Sequence, residues 1–491
     1  SLINLLNRKE PGRMDKKVLI KRFSEAIEKG NAAIFAGAGL SMSQGYVSWP
    51  ELLNDPATEI GLDSKKETDL VTLAQYYKNE NGGSRGILNQ ILMDNFGEEL
   101  EISENHRILA SLPIETYWTT NYDHLIEKSI REAYKNPQVK KNYTQLATTN
   151  PNVDTIVYKM HGDIDDVSST VITRDDYEKY DDDSYALFKE TLKGDLLTKT
   201  FLFLGFSFTD PNLERILSDI RWVLRENQRP HYCIMRKILK ENFVDSEDFF
   251  DQERYNYELT KRRLQINDLS RFSINVVEVD DYSEITDILK SIRKKYLRKT
   301  IFISGSAVDY TPFTSESKGL KFVEKLAYRL SESGYRIVSG YGLGIGNSIV
   351  SGVLKQRRNL RKNNIQDVLS LRPLPLDMPH EWRRYRENII AESGISIFVF
   401  GNKLESGEIV TADGMIEEFE LSVQNENIVV PIGFTKGASK VLFDKIQENF
   451  SDYFDDSLKS KFQALEKLDT EGEVDKKVEQ IVSLINSIQE D

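Results

Sequence analysis

Residues 32–41, with the sequence AAIFAGAGLS, join a short apolar segment to a turn of small residues at the start of a helical segment. Small residues at such a turn allow phosphate oxygens to approach backbone N–H groups at a helix N-terminus. The pattern returns at residues 300–306, TIFISGS, where a second apolar segment ends in small residues. Two unlike nucleotide sites in one chain indicate that one performs chemistry and the other controls it.

Length and charge narrow the class of protein. A chain of 491 residues exceeds one ordinary core and predicts two large domains, or at most three. The formal net charge of −13 argues against a nucleic acid or an anionic membrane as the main partner. No apolar run is long enough to span a bilayer, and no secretory signal is visible, so we expect a cytoplasmic protein.

Cysteine and histidine are sparse. Cys233 is the only cysteine, which excludes an intramolecular disulfide and a cysteine-based zinc site within this chain. The five histidines do not share metal-ligand spacing, so we expect no protein-built metal site.

Short apolar segments alternate with helical ones along the whole chain, which predicts two Rossmann-like α/β domains with parallel sheets. The predicted domains are residues 1–283 and 300–491, joined by a linker helix at 284–299. The predicted strands are 32–36, 114–119, 155–159, 199–203, 232–235 and 274–279 in the first domain, and 300–303, 336–339, 368–372, 396–400 and 429–432 in the second.

Four polar motifs follow strands of the first domain. They are residues 37–41 (GAGLS), 119–123 (TTNYD), 161–163 (HGD) and 205–212 (GFSFTDPN). Because the carboxyl ends of parallel strands meet at one edge of a sheet, we expect these motifs to converge on one crevice.

This ordered set resembles the sirtuin-like NAD-binding family, which carries Gly-Ala-Gly-x-Ser, Thr-Gln-Asn-Ile-Asp, His-Gly and Gly-Thr-Ser in the same order. The resemblance covers about the first 280 residues and implies NAD as the bound nucleotide. We expect the backbone N–H groups of residues 37–39 to hold the pyrophosphate. The predicted NAD-binding residues are Gly37, Ala38, Gly39, Ser41, Thr120, Gly205, Ser207 and Asp210.

Three residues of this set fit catalytic roles in cleaving the N-glycosidic bond of NAD. Asn121 offers an amide donor and acceptor for ribose hydroxyls or a positioned water. Asp123 can accept from the nicotinamide amide or a ribose hydroxyl, and a carboxylate near the oxocarbenium-like transition state stabilises its charge. His161 is the predicted general base, since histidine titrates near neutral pH.

The departures from the sirtuin pattern bear on the reaction. Sirtuin deacetylases carry a four-cysteine zinc module, which this chain cannot build. Residues 42–49 (MSQGYVSW) lack the family's Pro-x-Phe-Arg, and Thr120 replaces the Gln of the Asn motif. Without the module that helps form the acyl-lysine groove, water becomes the acceptor, which predicts hydrolysis of NAD to nicotinamide and ADP-ribose.

The second domain resembles the SLOG family, relatives of the Lonely Guy nucleotide hydrolases. The resemblance is carried by residues 302–306 (FISGS) and 338–346 (VSGYGLGIG). Residues 412–418 (ADGMIEE) lack the Pro-Gly-Gly and Thr of the hydrolase motif but keep its acidic position, which favours a binding pocket over a hydrolase. The predicted ligand contacts are Gly305, Ser306, Gly342, Gly344, Arg372, Arg386, Lys403 and Glu418.

The cations in this set suit phosphates. Arg372 follows a strand end, where a guanidinium binds phosphate in bidentate fashion. Arg386 lies on a helical segment, and the alternative for it is an ordinary surface charge on an amphipathic helix. Lys403 follows the strand 396–400.

The combination of a zinc-free sirtuin-like domain with a C-terminal SLOG domain resembles the NADase effectors of the bacterial Thoeris antiphage system. That resemblance implies an activator, a cyclic ADP-ribose isomer made by a partner TIR-domain protein. It also implies a homotetramer or larger assembly and NAD depletion that ends in abortive infection. Two other functions stay open: an NAD-dependent protein deacylase or ADP-ribosyltransferase, and a non-catalytic nucleotide-sensing scaffold.

Overall fold

The computed structural model describes residues 11–180, 182–208, 210–359 and 364–490. The chain divides into two compact units, the first ending at Arg293 and the second beginning at Lys294. The division falls inside one helix, Ser283–Leu297, which lies where the linker helix was predicted. Among the described residues, no helix combines the length and the apolar character needed to cross a membrane.

The first unit is built on a seven-stranded sheet whose strands all run parallel, in the order β3-β4-β2-β1-β5-β6-β7. The central strands β1 and β5 are fully buried and, apart from Thr200, apolar, as expected for parallel strands covered on both faces. The strands are β1 (Ala32–Ala36), β2 (Thr116–Thr119), β3 (Pro137–Lys140), β4 (Thr155–Lys159), β5 (Thr200–Leu204), β6 (His231–Arg236) and β7 (Ile274–Val279).

Helices connect these strands. They are α1 (Lys16–Glu28), α2 (Ala38–Met42), α3 (Trp49–Leu52), α4 (Asn54–Glu59), α5 (Leu70–Glu80), α6 (Gly86–Phe96), α7 (Glu104–Ser111), α8 (Leu125–Glu132), α9 (Arg174–Lys179), α10 (Asp183–Thr198), α11 (Pro211–Leu224), α12 (Gln252–Ser270) and α13 (Ser283–Leu297). The chain steps from β1 to β2 on one side and later to β5 on the other. The strand order therefore reverses at β1, which is where α/β sheets bind ligands.

The second unit has a five-stranded parallel sheet in the order β10-β9-β8-β11-β14 and a separate antiparallel hairpin of β12 and β13. The strands are β8 (Thr300–Ser306), β9 (Arg336–Ser339), β10 (Leu369–Leu371), β11 (Ile395–Phe400), β12 (Asn402–Glu405), β13 (Glu408–Thr411) and β14 (Ile428–Pro431). Its helices are α14 (Glu316–Glu332), α15 (Gly346–Asn359), α16 (Trp382–Ala391), α17 (Asp413–Gln424), α18 (Gly437–Glu448), α19 (Phe450–Tyr453), α20 (Lys459–Gln463) and α21 (Val474–Glu490).

The predicted fold class, two α/β units with parallel sheets, is confirmed. Two elements were not predicted. The edge strand β3 has the sequence Pro-Gln-Val-Lys and carries no apolar run. The hairpin of β12 and β13 is mostly polar and exposed, and its turn at Ser406 and Gly407 has positive φ at both residues. Neither element contributes much apolar surface, so neither has the signal that marks a buried strand.

Candidate functional site

The four polar motifs of the first unit lie at the ends of four neighbouring strands. In the sheet order β4-β2-β1-β5, these ends lead to His161, Asn121, Gly37 and Gly205. The register places Thr119 beside Lys159, and Ala36 beside both Thr119 and Leu204. The strand ends are therefore level with one another, and the motifs share one edge of the sheet.

Glycine at three positions lets two of these loops touch backbone to backbone. A Cβ on Gly37 would collide with the Gly205 carbonyl, and one on Gly39 would lie 2.8 Å from Gly205 Cα. A Cβ on Gly205 would collide with the Leu40 amide, and Gly205 also has φ +63°. The GAGLS turn is thus fixed by its contact with the loop after β5.

This contact corrects part of our prediction for the phosphates. The N–H of Gly37 donates to the Leu204 carbonyl at 2.8 Å, and the N–H of Gly39 donates to the Gly205 carbonyl at 2.9 Å. Both groups are used inside the protein, so the expectation that they hold a pyrophosphate is wrong for this arrangement. Their absent side chains, and not their N–H groups, explain the glycines.

Asn121 is buried, and its amide spans the gap between β2 and the GAGLS turn. Its Nδ2 donates to the Gly37 carbonyl at 2.9 Å and to the Ser41 hydroxyl at 3.2 Å. Its backbone N–H donates to the Thr119 hydroxyl, which in turn donates to the Ala36 carbonyl. These bonds fix the amide orientation and direct its Oδ1 away from the turn. No described residue donates a hydrogen bond to that oxygen.

Asp123 is also buried, and one of its oxygens has a local task. Its Oδ1 accepts the N–H of Leu125 at 2.9 Å, at the first turn of α8. No described residue donates a hydrogen bond to Oδ2. The predicted contact of Asp123 with nicotinamide or ribose thus stays a prediction for this second oxygen.

Beneath the site lies a buried ion cluster that the sequence reading missed. The ammonium of Lys159 is fully buried, 3.1 Å from Glu127 Oε1 and 2.8 Å from Asp163 Oδ2, and it donates to the carbonyls of Tyr122 and Asp123. Burial alone would lower the pKa of Lys159, but the two carboxylates raise it. Burial would likewise raise the pKa of Asp163, but His124 and Lys159 lower it. The cluster holds the loops after β2 and β4 together.

The signal for this cluster was present in the sequence. Lys159 ends an otherwise apolar strand, and Asp163 closes the HGD motif. His124, Asp163 and Asp165 form the one group of possible metal ligands in the described part of the chain. The ammonium groups of Lys141 and Lys159 lie against these carboxylates, so protein cations already neutralise them.

His161 is 2% exposed and lies between aromatic rings and a carboxylate. Its Nε2 is 3.0 Å from Asp210 Oδ2, and the Tyr177 and Tyr180 rings stand edge-on to the imidazole. Both ring nitrogens are buried, and neither has a partner at full hydrogen-bond geometry within the described residues, although Nε2 lies within ion-pair distance of Asp210. The other predicted NAD-binding residues differ in exposure: Ser41 is buried, Ala38 and Thr120 are half-buried, and Ser207 is exposed.

The second unit repeats the glycine contact. A Cβ on Gly342 would collide with the Gly305 carbonyl, and one on Gly344 would collide with the Ala307 carbonyl. Gly344 also has φ +82°. The loops after β8 and β9 therefore pack backbone to backbone, and the sheet order reverses at β8. Since α/β sheets bind ligands where the strand order reverses, the ligand site of this unit is predicted there.

A partly buried acid–base cluster lies beside β8. Ser304 Oγ donates to Glu418 Oε2 at 2.5 Å, and Arg386 Nε is 3.3 Å from Glu418 Oε1. A second nitrogen of Arg386, Nη1, is 2.7 Å from Glu417 Oε2. Burial raises the pKa of Glu418, although Ser304 and Arg386 oppose that shift. The structure thus brings the predicted residues Arg386 and Glu418 together, and it adds Ser304 and Glu417.

The other two predicted cations also have acidic partners. Arg372 Nε is 3.1 Å from Glu392 Oε1, and both side chains are partly exposed. Lys403 pairs with Asp413. Ser306 donates to the Asn402 carbonyl at 3.2 Å. An anionic ligand at this sheet edge would compete with carboxylates for each of these cations.

The fold and the strand-end motifs define the class of protein: a sirtuin-like unit followed by a SLOG unit. A family model for the SIR2-like domain matches residues 115–260, and a model for the Sir2- and TIR-associating SLOG family matches residues 284–490. The NAD(+) hydrolase ThsA of Bacillus cereus is 45% identical over 477 residues, covering 96% of this chain and 97% of its own.

Two further relatives are similar to this chain. The NAD(+) hydrolase ThsA of Acinetobacter baumannii is 42% identical, covering 96% of this chain and 98% of its own. The defense-associated sirtuin 2 of Bacillus subtilis is 26% identical, covering 64% of this chain and 34% of its own. The chain belongs to the ThsA family.

The buried cluster under the site generates a stability prediction. Lys159→Met leaves the carboxylate of Glu127 buried without its cation and removes the nearest cation from Asp163. We expect the free energy of unfolding of the first unit to fall by about 3–5 kcal/mol, measured by chemical denaturation. The control is Lys237→Met, which removes a pair with Asp280 whose side chains are 46% and 62% exposed. Equal effects of the two substitutions would contradict the structural role of Lys159.

Proposed function

We propose that this chain hydrolyses NAD⁺ to nicotinamide and ADP-ribose in its first unit. The observation that carries the proposal is Asn121, whose buried amide is fixed by Gly37 and Ser41 while no described residue donates to its Oδ1. That oxygen can accept from a ribose hydroxyl or from water at the sheet edge. The ThsA relatives are named NAD(+) hydrolases and align over nearly the whole chain, which supports the same activity here.

The reaction exchanges one bond at C1′ of the nicotinamide ribose. The bond from C1′ to the pyridinium nitrogen breaks, and its electron pair stays with the ring nitrogen, which loses its positive charge. A water oxygen bonds to C1′, and the water gives up one proton. The transition state resembles an oxocarbenium ion, so dipoles and carboxylates aimed at the ribose stabilise it.

The residues at the strand ends divide this work. Asn121 orients the nicotinamide ribose or the attacking water through Oδ1, and Asp123 receives the nicotinamide amide or a ribose hydroxyl through Oδ2. His161 is the base that takes the proton from a ribose hydroxyl or from water. The loops carrying Ser41 and Ser207 border the phosphates and ribose. The glycines let the loops after β1 and β5 touch backbone to backbone, which places these side chains beside one another.

We propose that the second unit controls the first by binding a cyclic ADP-ribose isomer. The two phosphates of this ligand carry negative charge, which the side chains of Arg372, Arg386 and Lys403 would recognise. The phosphates would compete with the carboxylates that these cations contact now. We propose further that a TIR-domain partner makes this signal in the cytoplasm of an infected bacterium. A homotetramer or larger assembly then depletes NAD until the cell no longer supports phage.

Loss of either proposed catalytic side chain tests the hydrolase. Asn121→Ala and His161→Ala should each lower nicotinamide release by at least about 100-fold, because each removes an orienting or proton-accepting group. Thermal unfolding should show that the fold is kept. The control is Asn275→Ala, a half-buried amide on β7 that bonds to the His231 and Ser273 carbonyls. Unchanged turnover in either variant would remove that residue from the mechanism.

Loss of a proposed phosphate contact tests the control step. Arg372→Ala should raise the activator concentration for half-maximal nicotinamide release by about tenfold or more, with the maximal rate kept, because one charged contact is lost. Arg384→Ala is the matched control, since this arginine is 72% exposed and its acidic neighbour is Glu381, the residue before its own helix. A loss of activity at saturating activator would overturn the regulatory assignment of Arg372.

A further inference from the structure

Within the described part of the chain, one carboxylate lies at ion-pair distance from the His161 imidazole, that of Asp210. Asp210 lies in the loop after β5, whereas His161 follows β4, and β2 and β1 lie between these strands. The two side chains are 8% and 2% exposed, and Asp210 Oδ2 is 3.0 Å from His161 Nε2. A buried carboxylate this close to a buried imidazole acts strongly on the ring, because the low local dielectric strengthens its attraction to a ring N–H and to the imidazolium charge.

Contacts with Tyr177 and with the first turn of α11 hold the Asp210 carboxylate in place. Its Oδ1 accepts the N–H of Leu213 at 3.1 Å, in the first turn of α11, and its Oδ2 accepts the hydroxyl of Tyr177 at 3.1 Å. Burial would raise the pKa of Asp210, but His161 and these donors lower it, so the group is a carboxylate at neutral pH. Burial also raises the pKa of Tyr177 and of Tyr180 well above the usual range. Asp210 is therefore the charged group among these three neighbours of the imidazole.

We propose that Asp210 is a positioning residue for the base: its carboxylate orients the His161 ring and fixes the proton on Nε2, so that Nδ1 carries the lone pair that accepts the substrate's proton. The inference rests on the proposed hydrolysis of NAD and assigns Asp210 a task other than contact with the ribose. A carboxylate that fixes the tautomer of a catalytic histidine also stabilises the imidazolium that forms when the proton is taken. Both ring nitrogens are buried; Nε2 lies 3.0 Å from Asp210 Oδ2, whereas Nδ1 has no partner among the described residues, so Nδ1 is the nitrogen that we assign to the substrate.

Asp210→Asn separates the role of this side chain as a helix cap from the effect of its negative charge on His161. The amide oxygen can still accept from Leu213, so α11 keeps its cap, but the negative charge beside His161 is gone. We expect kcat for nicotinamide release to fall on the order of 100-fold or more, with KM for NAD changed less than about threefold. If Asp210 instead bound the ribose equally in the ground state and the transition state, its loss would raise KM and leave kcat unchanged.

The matched control is Asp251→Asn. Asp251 also caps a helix through its side chain, accepting the N–H of Arg254 at the start of α12. This substitution removes the same charge from the same type of position, so kcat, KM and the thermal midpoint should stay near those of the parent protein. A fall in kcat equal to that of Asp210→Asn would mean that helix capping, and not the base, explains the effect.

A second measurement does not depend on turnover. Nitrogen chemical shifts of the protein labelled in its five histidines report which ring nitrogen carries the proton, and His161→Gln identifies the His161 signals. We expect the Nε2-protonated form in the parent protein and a mixture of tautomers in Asp210→Asn. The same tautomer in both proteins, or a raised KM with kcat kept, would overturn the inference. If the parent protein shows the expected tautomer but releases no nicotinamide, the proposed hydrolysis fails and the His161–Asp210 pairing stands.

Discussion

Both units depend on a place where two backbones touch without a side chain between them. In the first unit the contact joins the turn at Gly37 and Gly39 to the loop at Gly205, and in the second it joins Gly305 to Gly342. Each contact lies where the strand order of its sheet reverses. A methyl group at these positions would separate the loops and move the polar side chains that follow them. The geometry of both sites therefore depends on the absence of a Cβ.

Charge pairing works differently around the two sites. In the first unit the ions are buried: Lys159 binds Glu127 and Asp163 beneath the loops, and Asp210 faces His161. Such pairs are costly to break, so they keep the loops in one arrangement. In the second unit Arg372 and Lys403 pair with carboxylates in partly exposed positions. Exposed pairs are weak, which suits cations that must exchange a carboxylate for the phosphates of a signal. Arg372 and Lys403 are therefore the exchangeable cations of the proposed sensor site, whereas Arg386, at 12% exposed, is held by Glu417 and Glu418.

The strands and the polar motifs after them were predictable because their signals are local. An apolar run followed by small residues, as at 32–41, needs no knowledge of distant contacts. The hydrogen bonds of the Gly37 and Gly39 N–H groups were not predictable, because they depend on which strand lies beside β1. The same holds for Asp210, which reads as one polar residue of a motif and meets His161 only through the sheet order. The edge strand β3 lacks an apolar run. Its strand conformation therefore depends on pairing with β4 and could not be predicted from its own sequence.

Release of nicotinamide from NAD⁺ by the purified chain, with and without a cyclic ADP-ribose isomer, tests the central claim most directly. The account predicts release that rises steeply when the isomer is added, because the reaction and the sensing belong to different units of one chain. Release that is equal in both conditions would contradict the control step and leave the hydrolase in place. No release in either condition, with NAD bound, would contradict the hydrolase and favour a nucleotide-binding scaffold.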